Sequence, residues 1–167
     1  MIVVCGLNAA QGQIDLHSAK SVISILGPET PHRDFVGIDP SQHLRLTFND
    51  INTYTEGLIA PQAGDAVRLV EFIQSWDQAA PLLIHCWAGI SRSTASAFTA
   101  LCILRPDIDE VDLAKELREA SPSATPNRMI TWQVDQLLRR EGRMMTAIES
   151  IGRGANAYEG KPFVLKV

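Results

Sequence analysis

Leu82-Leu83-Ile84-His85-Cys86-Trp87-Ala88-Gly89-Ile90-Ser91-Arg92-Ser93 is the stretch from which the fold is read. Leu82 to Ile84 is a short apolar run suited to a buried strand, and it leads directly into His85 and Cys86. Trp87 to Ser91 contain the turn-forming Gly89, and from Arg92 to Leu104 the chain is small and apolar nearly all round, the pattern of a helix inside a core. Strand, short loop and helix in that order place the Cys86 thiol at a helix N-terminus beside the permanently charged Arg92. In that setting a cysteine persists as a thiolate at neutral pH, and an anion with several oxygens is gripped.

Working outward, Met1 to Cys5 and Ser21 to Leu26 are apolar runs stopped by Gly6 and by Gly27-Pro28, and His43 to Phe48 alternates polar and apolar residues. Each predicts a strand. Residues 12–20 predict a loop with a short helix, and Pro28 to Pro40, dense in proline, glycine and charge, predicts a surface loop. Residues 65–77 carry Ala66, Leu69, Val70, Ile73 and Trp76 at helical spacing. Asp109 reads as the N-cap of a helix to Ala120, and Thr125-Pro126 as the N-cap and first position of another reaching about Glu141. Gly142 precedes a short helix with Met144, Met145, Ile148 and Ile151. The tail beyond Gly152 and Gly154 reads as irregular, closing with an extended Phe163-Val164-Leu165. Strands that interleave with helices predict a single α/β domain over residues 1–167, with a mostly parallel sheet of about four to five strands flanked by helices.

An apolar fraction of 46% and a charged fraction of 20% are globular values. A net charge of −4 with no basic stripe argues against a nucleic-acid or anionic-membrane binder. Cys5, Cys86 and Cys102 are too few and too scattered for a disulfide framework or a zinc site, so no metal is expected and a reducing compartment is. With no basic leader segment and no apolar run of membrane-spanning length, the expectation is a soluble, cytoplasmic protein.

The loop from Trp87 through Ala88, Gly89, Ile90 and Ser91 to Arg92 is of a length that can curl its backbone N–H groups onto one point, and the helix that follows adds its own N-terminal donors. Gly89 suits a place where a side chain would block the curl, and the planar fork of Arg92 suits two phosphoryl oxygens. The long aperiodic segment from Asn49 to Gly64, with Asp50 at its start, has the character of a functional loop.

The pattern His85-Cys86, five residues, Arg92-Ser93 resembles the signature of the cysteine-dependent protein tyrosine phosphatases, and Ala88-Gly89-Ile90-Ser91-Arg92-Ser93 is most similar to compact dual-specificity and bacterial tyrosine-phosphatase-like proteins. Leu44 to Asp50 resembles the strand and loop that carry that family's general acid, and Leu117-Arg118 through Pro126-Asn127 its helix–loop with a Pro-Asn pair. The resemblance covers roughly residues 20–140. It implies a dual-specificity-like phosphatase fold, no cofactor and a phosphorylated protein or small phosphomonoester as substrate. It further implies Cys86 as nucleophile, Arg92 as phosphate clamp, Asp50 as general acid and Ser93 as a hydrogen-bond donor to the sulfur. His85 would brace the loop as a buried, satisfied histidine, and Asn127 reads as a helix-start residue that bonds neighbouring loops.

Each residue has a plainer reading. A cysteine at a strand end is often inert core, Ser93 could be an ordinary first-turn serine, and Asn49-Asp50 is common turn chemistry, with Asp34, Asp39 and Asp65 as rival acids. Arg45 and Arg128 read as solvated surface positions, and Cys5 and Cys102 as core. Two other functions compete: a phosphate-binding module without turnover, and another cysteine–arginine loop enzyme such as a sulfurtransferase or an arsenate reductase. The loop carries no lysine for additional phosphates, which argues against an inositol-lipid substrate. A loop that would deepen the pocket around a phenol is not evident, although residues 28–40 could serve in part. The oligomeric state is left open.

Overall fold

A computed structural model describes all residues 1–167. Its elements run β1 (Ile2–Gly6), α1 (Ala10–His17), β2 (Ser21–Leu26), β3 (His43–Thr47), α2 (Ala63–Ser75), β4 (Leu82–Cys86), α3 (Arg92–Leu104), α4 (Glu110–Ala120), α5 (Arg128–Leu137), α6 (Arg143–Ile151) and β5 (Phe163–Leu165). The sheet order is β3-β2-β4-β1-β5. The first four strands are mutually parallel and β5 joins the edge antiparallel to β1. This is the mostly parallel α/β sheet expected from the sequence.

All five residues of β4, and all of β1 and β2, are buried, as continuous apolar runs in a parallel sheet require. One face of the sheet, with Ile2, Val4, Ile23, Ile25, Leu82 and Ile84, packs with side chains from α2 to α6 into a core of 32 buried residues. The other face, with Val3, Cys5, Val22 and Leu83, is closed by Ala10 and Ile14 of α1 and by Phe35. Helix α3 runs through the main core, buried from Arg92 to Cys102.

Three expectations change. Residues 28–40 are not wholly surface, because Phe35 turns inward to pack on the rings of His43 and His85. Helix α5 starts after Asn127 rather than at Thr125-Pro126: the Asn127 side chain accepts the Ile130 N–H, while Thr125 spends its N–H on Ile90 O and its hydroxyl oxygen on the Gly154 N–H. The helix also ends at Leu137, short of Glu141. Arg139 and Glu141 have positive φ, and the Asp135 carboxylate collects the Gly142 and Met144 N–H groups to turn the chain into α6. The expected cap at Asp109 holds its place, and Gly142 stands before α6 as expected, at its N-cap position.

Candidate active site

Cys86 is the last residue of β4 and Arg92 the first of α3, so the loop between them lies at the carboxyl edge of the parallel strands, where ligands of open α/β sheets collect. The loop's carbonyls are tied outward to four separate segments. Trp87 O accepts from Leu7 N, Ala88 O from Gly160 N, Ile90 O from Thr125 N and Thr94 Oγ1, and Ser91 O from Asn127 N. With the carbonyls turned out, the N–H groups turn in, and those of Ala88, Ile90 and Ser91 have no protein acceptor. A row of free N–H groups in a short loop is what an anion-binding nest requires.

The Gly89 N–H donates to Cys86 Sγ at 3.2 Å, and Ser93 Oγ lies 3.2 Å from the same sulfur. Gly89 adopts φ +73°, and a Cβ there would stand 2.7 Å from the backbone of Cys5 and Gly6, so both the turn and the close approach demand glycine. Arg92 is buried; its Nη1 donates to Phe48 O at 2.8 Å, and its buried Nε has no hydrogen-bond partner. An unsatisfied guanidinium N–H inside a nest of free amides is a site for an oxyanion.

Asp50 follows β3 and stands at this loop. Its Oδ1 accepts from Ser91 Oγ at 2.6 Å and from Asn127 Nδ2 at 2.9 Å, and its Oδ2 lies 3.8 Å from Arg92 Nε. Asn127 Nδ2 also donates to Ile51 O, and Asn52 Oδ1 accepts the Arg128 N–H, so the start of α5 holds the turn at 50–52 in place. The rival carboxylates are occupied elsewhere: Asp34 pairs with Arg45, Asp39 caps the 3-10 turn Pro40–Gln42, and Asp65 closes the capping box of α2. Arg128 pairs with Glu149. Trp87 is half-exposed, edge-on to Tyr158 with ring centroids 5.5 Å apart, and so stands on the rim.

His85 is fully buried beneath the loop. Its Nε2 is 2.6 Å from Ser24 Oγ, which is 2.7 Å from His43 Nε2, and its Nδ1 is 3.4 Å from Cys86 O. A donor order that also serves Cys86 O runs from His43 Nε2–H to Ser24, from the Ser24 hydroxyl to His85 Nε2, and from His85 Nδ1–H to the carbonyl. Burial pushes the His43 pKa down to about 4, with the Arg45 charge adding to it, and the His85 pKa down to about 3. Both rings are therefore neutral at pH 7. Below the unfolded value of 6.5 an unfolded chain takes up protons that these two folded rings refuse, so stability is full above that pH and falls as pH drops through 6 toward 4 and 3. Replacing His43 by Gln should make the fall in thermal midpoint between pH 6.5 and 5 measurably shallower; an unchanged slope would remove His43 from this account.

Sequence reasoning missed Ser24, His43 and the segment 152–160. Ser24 was visible as a lone hydroxyl inside a buried apolar strand, and His43 as an imidazole beginning the next one. Cys5 and Cys102 are buried thiols whose pKa burial raises to about 12, which leaves them protonated.

No protein-family profile and no curated protein matches the chain. Solved structures do. DUSP15 superposes with TM-score 0.63 at 19% identity, covering 90% of this chain and 89% of that one. The human tyrosine phosphatase-like serine/threonine/tyrosine-interacting protein gives 0.64 at 18%, covering 84% and 92%. A mouse putative dual specificity phosphatase complexed with zinc tungstate gives 0.59 at 17%, covering 86% and 84%. Likeness over nearly the whole chain at such low identity speaks for the arrangement of elements, and this chain is built on the fold of the dual-specificity-type cysteine-dependent phosphatases.

Proposed function

We propose that this protein is a phosphomonoester hydrolase of the cysteine-dependent type, acting on phosphotyrosine and open to other phosphorylated residues. The observation that carries the reading is the loop 86–92: the N–H groups of Ala88, Ile90 and Ser91 are free, Arg92 Nε has no hydrogen-bond partner, and the Cys86 sulfur already receives the Gly89 N–H. In the first step the Cys86 thiolate attacks phosphorus, an S–P bond forms, the P–O ester bond breaks, and Asp50 gives its proton to the departing oxygen. In the second step Asp50 takes a proton from water, the water oxygen attacks phosphorus, and the S–P bond breaks to return thiolate and inorganic phosphate. The nest and Arg92 stabilise the charge on the equatorial oxygens in both steps. Ser93 donates to the sulfur as it leaves, and Ser91 and Asn127 hold the Asp50 carboxyl at the mouth.

The test is hydrolysis of a panel of phosphotyrosyl, phosphoseryl and phosphothreonyl peptides with an aryl phosphate as reference. Release of inorganic phosphate from the aryl phosphate and the phosphotyrosyl peptides, inhibited by vanadate, is the expected result. Vanadate or phosphate binding with no turnover on any member would make this a phosphate-binding module instead.

A further inference from the structure

A cavity of about 910 Å³ lies beside the thiol cradle, a trough that opens from its edge. It shares Asp50 and Ser91 with the cradle and is lined further by Asn52, Thr125, Arg128 and residues 152–158 of the C-terminal tail, which form one wall. A volume of that size holds a ligand well beyond a phosphate and a phenyl ring.

The tail is anchored at both ends, by Arg118 and residues 122–125 at one and by the phosphate loop at the other. Arg118 reaches out of α4 to bond Ile151 O, Gly152 O and Ala124 O, and Ala155 N donates to Pro122 O. A Cβ at Gly154 would stand 2.6 Å from the Ser123 backbone, and one at Gly160 would stand 2.8 Å from Gly89 O. The Gly160 N–H is also the donor that turns Ala88 O outward. Between these anchors the backbone groups of Asn156 to Glu159 have no protein partner. The segment thus presents unused donors and acceptors along a trough that begins where the phosphoryl group would sit.

The charges in the trough are unequal in their freedom. Asp50 is held by Ser91 and Asn127, and Arg128 and Glu149 neutralise each other. Arg153, held between the anchored carbonyl of Gly152 and the anchored N–H of Gly154, pairs with no carboxylate. Few apolar side chains line the space, so an acyl chain finds little to bury against.

We propose that residues 152–158 form a specificity wall that receives the polypeptide flanking a phosphorylated residue, with Arg153 favouring an acidic neighbour. This rests on the hydrolase reading for its phosphoryl anchor, while its own content is the peptide and its charge. Free main-chain groups suit an extended peptide, which supplies matching groups at every residue. An exposed ion pair at Arg153 is worth up to about fivefold in kcat/KM, expressed through KM.

Two phosphotyrosyl peptides that differ only in Glu or Lys beside the phosphotyrosine, together with free phosphotyrosine, provide the test. Wild type should prefer the Glu peptide by roughly that factor and both peptides over the free amino acid, and Arg153→Glu should reverse the order of the peptides. Unchanged preference in Arg153→Glu, or equal use of peptide and free phosphotyrosine by wild type, would overturn the proposal. Calorimetric titration of the same peptides into Cys86→Ser and Cys86→Ser/Arg153→Glu proteins reads the same contrast without turnover. A wild type that binds and discriminates the peptides yet hydrolyses nothing leaves the wall standing and removes the hydrolase.

Discussion

Replacing Cys86 by Ser should abolish hydrolysis of an aryl phosphate, a fall of roughly 10⁴-fold or more, while inorganic phosphate or a phosphopeptide still binds. The two halves of this expectation have separate causes. Turnover needs a nucleophile that is ionised and a leaving group that departs easily from phosphorus; a serine hydroxyl is neither, and no other thiol stands in the loop. Cys5 and Cys102 are buried and protonated, so neither can substitute. Binding depends on other groups. The N–H groups of Ala88 and Ser91 share peptide planes with Trp87 O and Ile90 O, which are held by Leu7 and Thr125, and Arg92 is set by Phe48 O; none of these contacts passes through the sulfur. In the proposed mechanism the serine also takes away the negative charge of the attacking sulfur, so affinity for a dianion should hold or rise. Equilibrium titration with phosphate and steady-state release of phosphate measure the two halves. A Cys86→Ser protein that turns over at the wild-type rate would place the chemistry elsewhere, and one that binds nothing would mean the sulfur shapes the loop.

The loop was legible in sequence because its chemistry is contiguous. Strand, thiol, glycine, guanidinium and helix fall within Leu82 to Ser93, where local spacing and strand edge together dictate geometry. Asp50 was legible to a lesser degree, as a carboxylate immediately beyond a strand that also ends at the carboxyl edge of the sheet. What singles it out from Asp34, Asp39 and Asp65 is Ser91 and Asn127 on its Oδ1, and those meet only in the folded chain. The misplaced start of α5 has the same origin. Thr125-Pro126 is a good local start signal, and it lost because tertiary contacts to Ile90 and Gly154 took both polar groups of Thr125. The tail was the least legible. Gly154 and Gly160 look like linker glycines in sequence, whereas each marks a backbone approach too close for a Cβ, a constraint that comes from Ser123 and Gly89 far away along the chain. Local pattern thus carries the thiol loop, and long-range contact determines what stands around it.

Replacing Asp50 by Ala should lower turnover by roughly 10²–10⁴-fold, with the size of the loss set by the leaving group. A general acid matters most when the departing oxygen is a poor leaving group that cannot leave as an anion. An activated nitrophenyl phosphate should therefore lose little, a phosphotyrosyl peptide more, and an alkyl phosphate most. The alkaline-side fall in kcat/KM expected from deprotonation of an essential acid should vanish with the side chain. Asp50→Asn keeps the shape and an acceptor for Ser91 and Asn127 but carries no transferable proton, so it should behave as Asp50→Ala does in the leaving-group series. That comparison separates chemistry from support. If Asp50→Asn kept the activity that Asp50→Ala loses, the carboxylate would be serving only to brace Ser91 and the turn at 50–52, and the proton would have to come from water or another group. If Asp50→Ala instead lost equally on all three substrates, Asp50 would be acting through the position of Arg92, whose Nε lies 3.8 Å from its Oδ2, rather than on the leaving oxygen. Asp34, Asp39 and Asp65 offer controls, since each is tied into its own cap or ion pair, and none should show a leaving-group dependence.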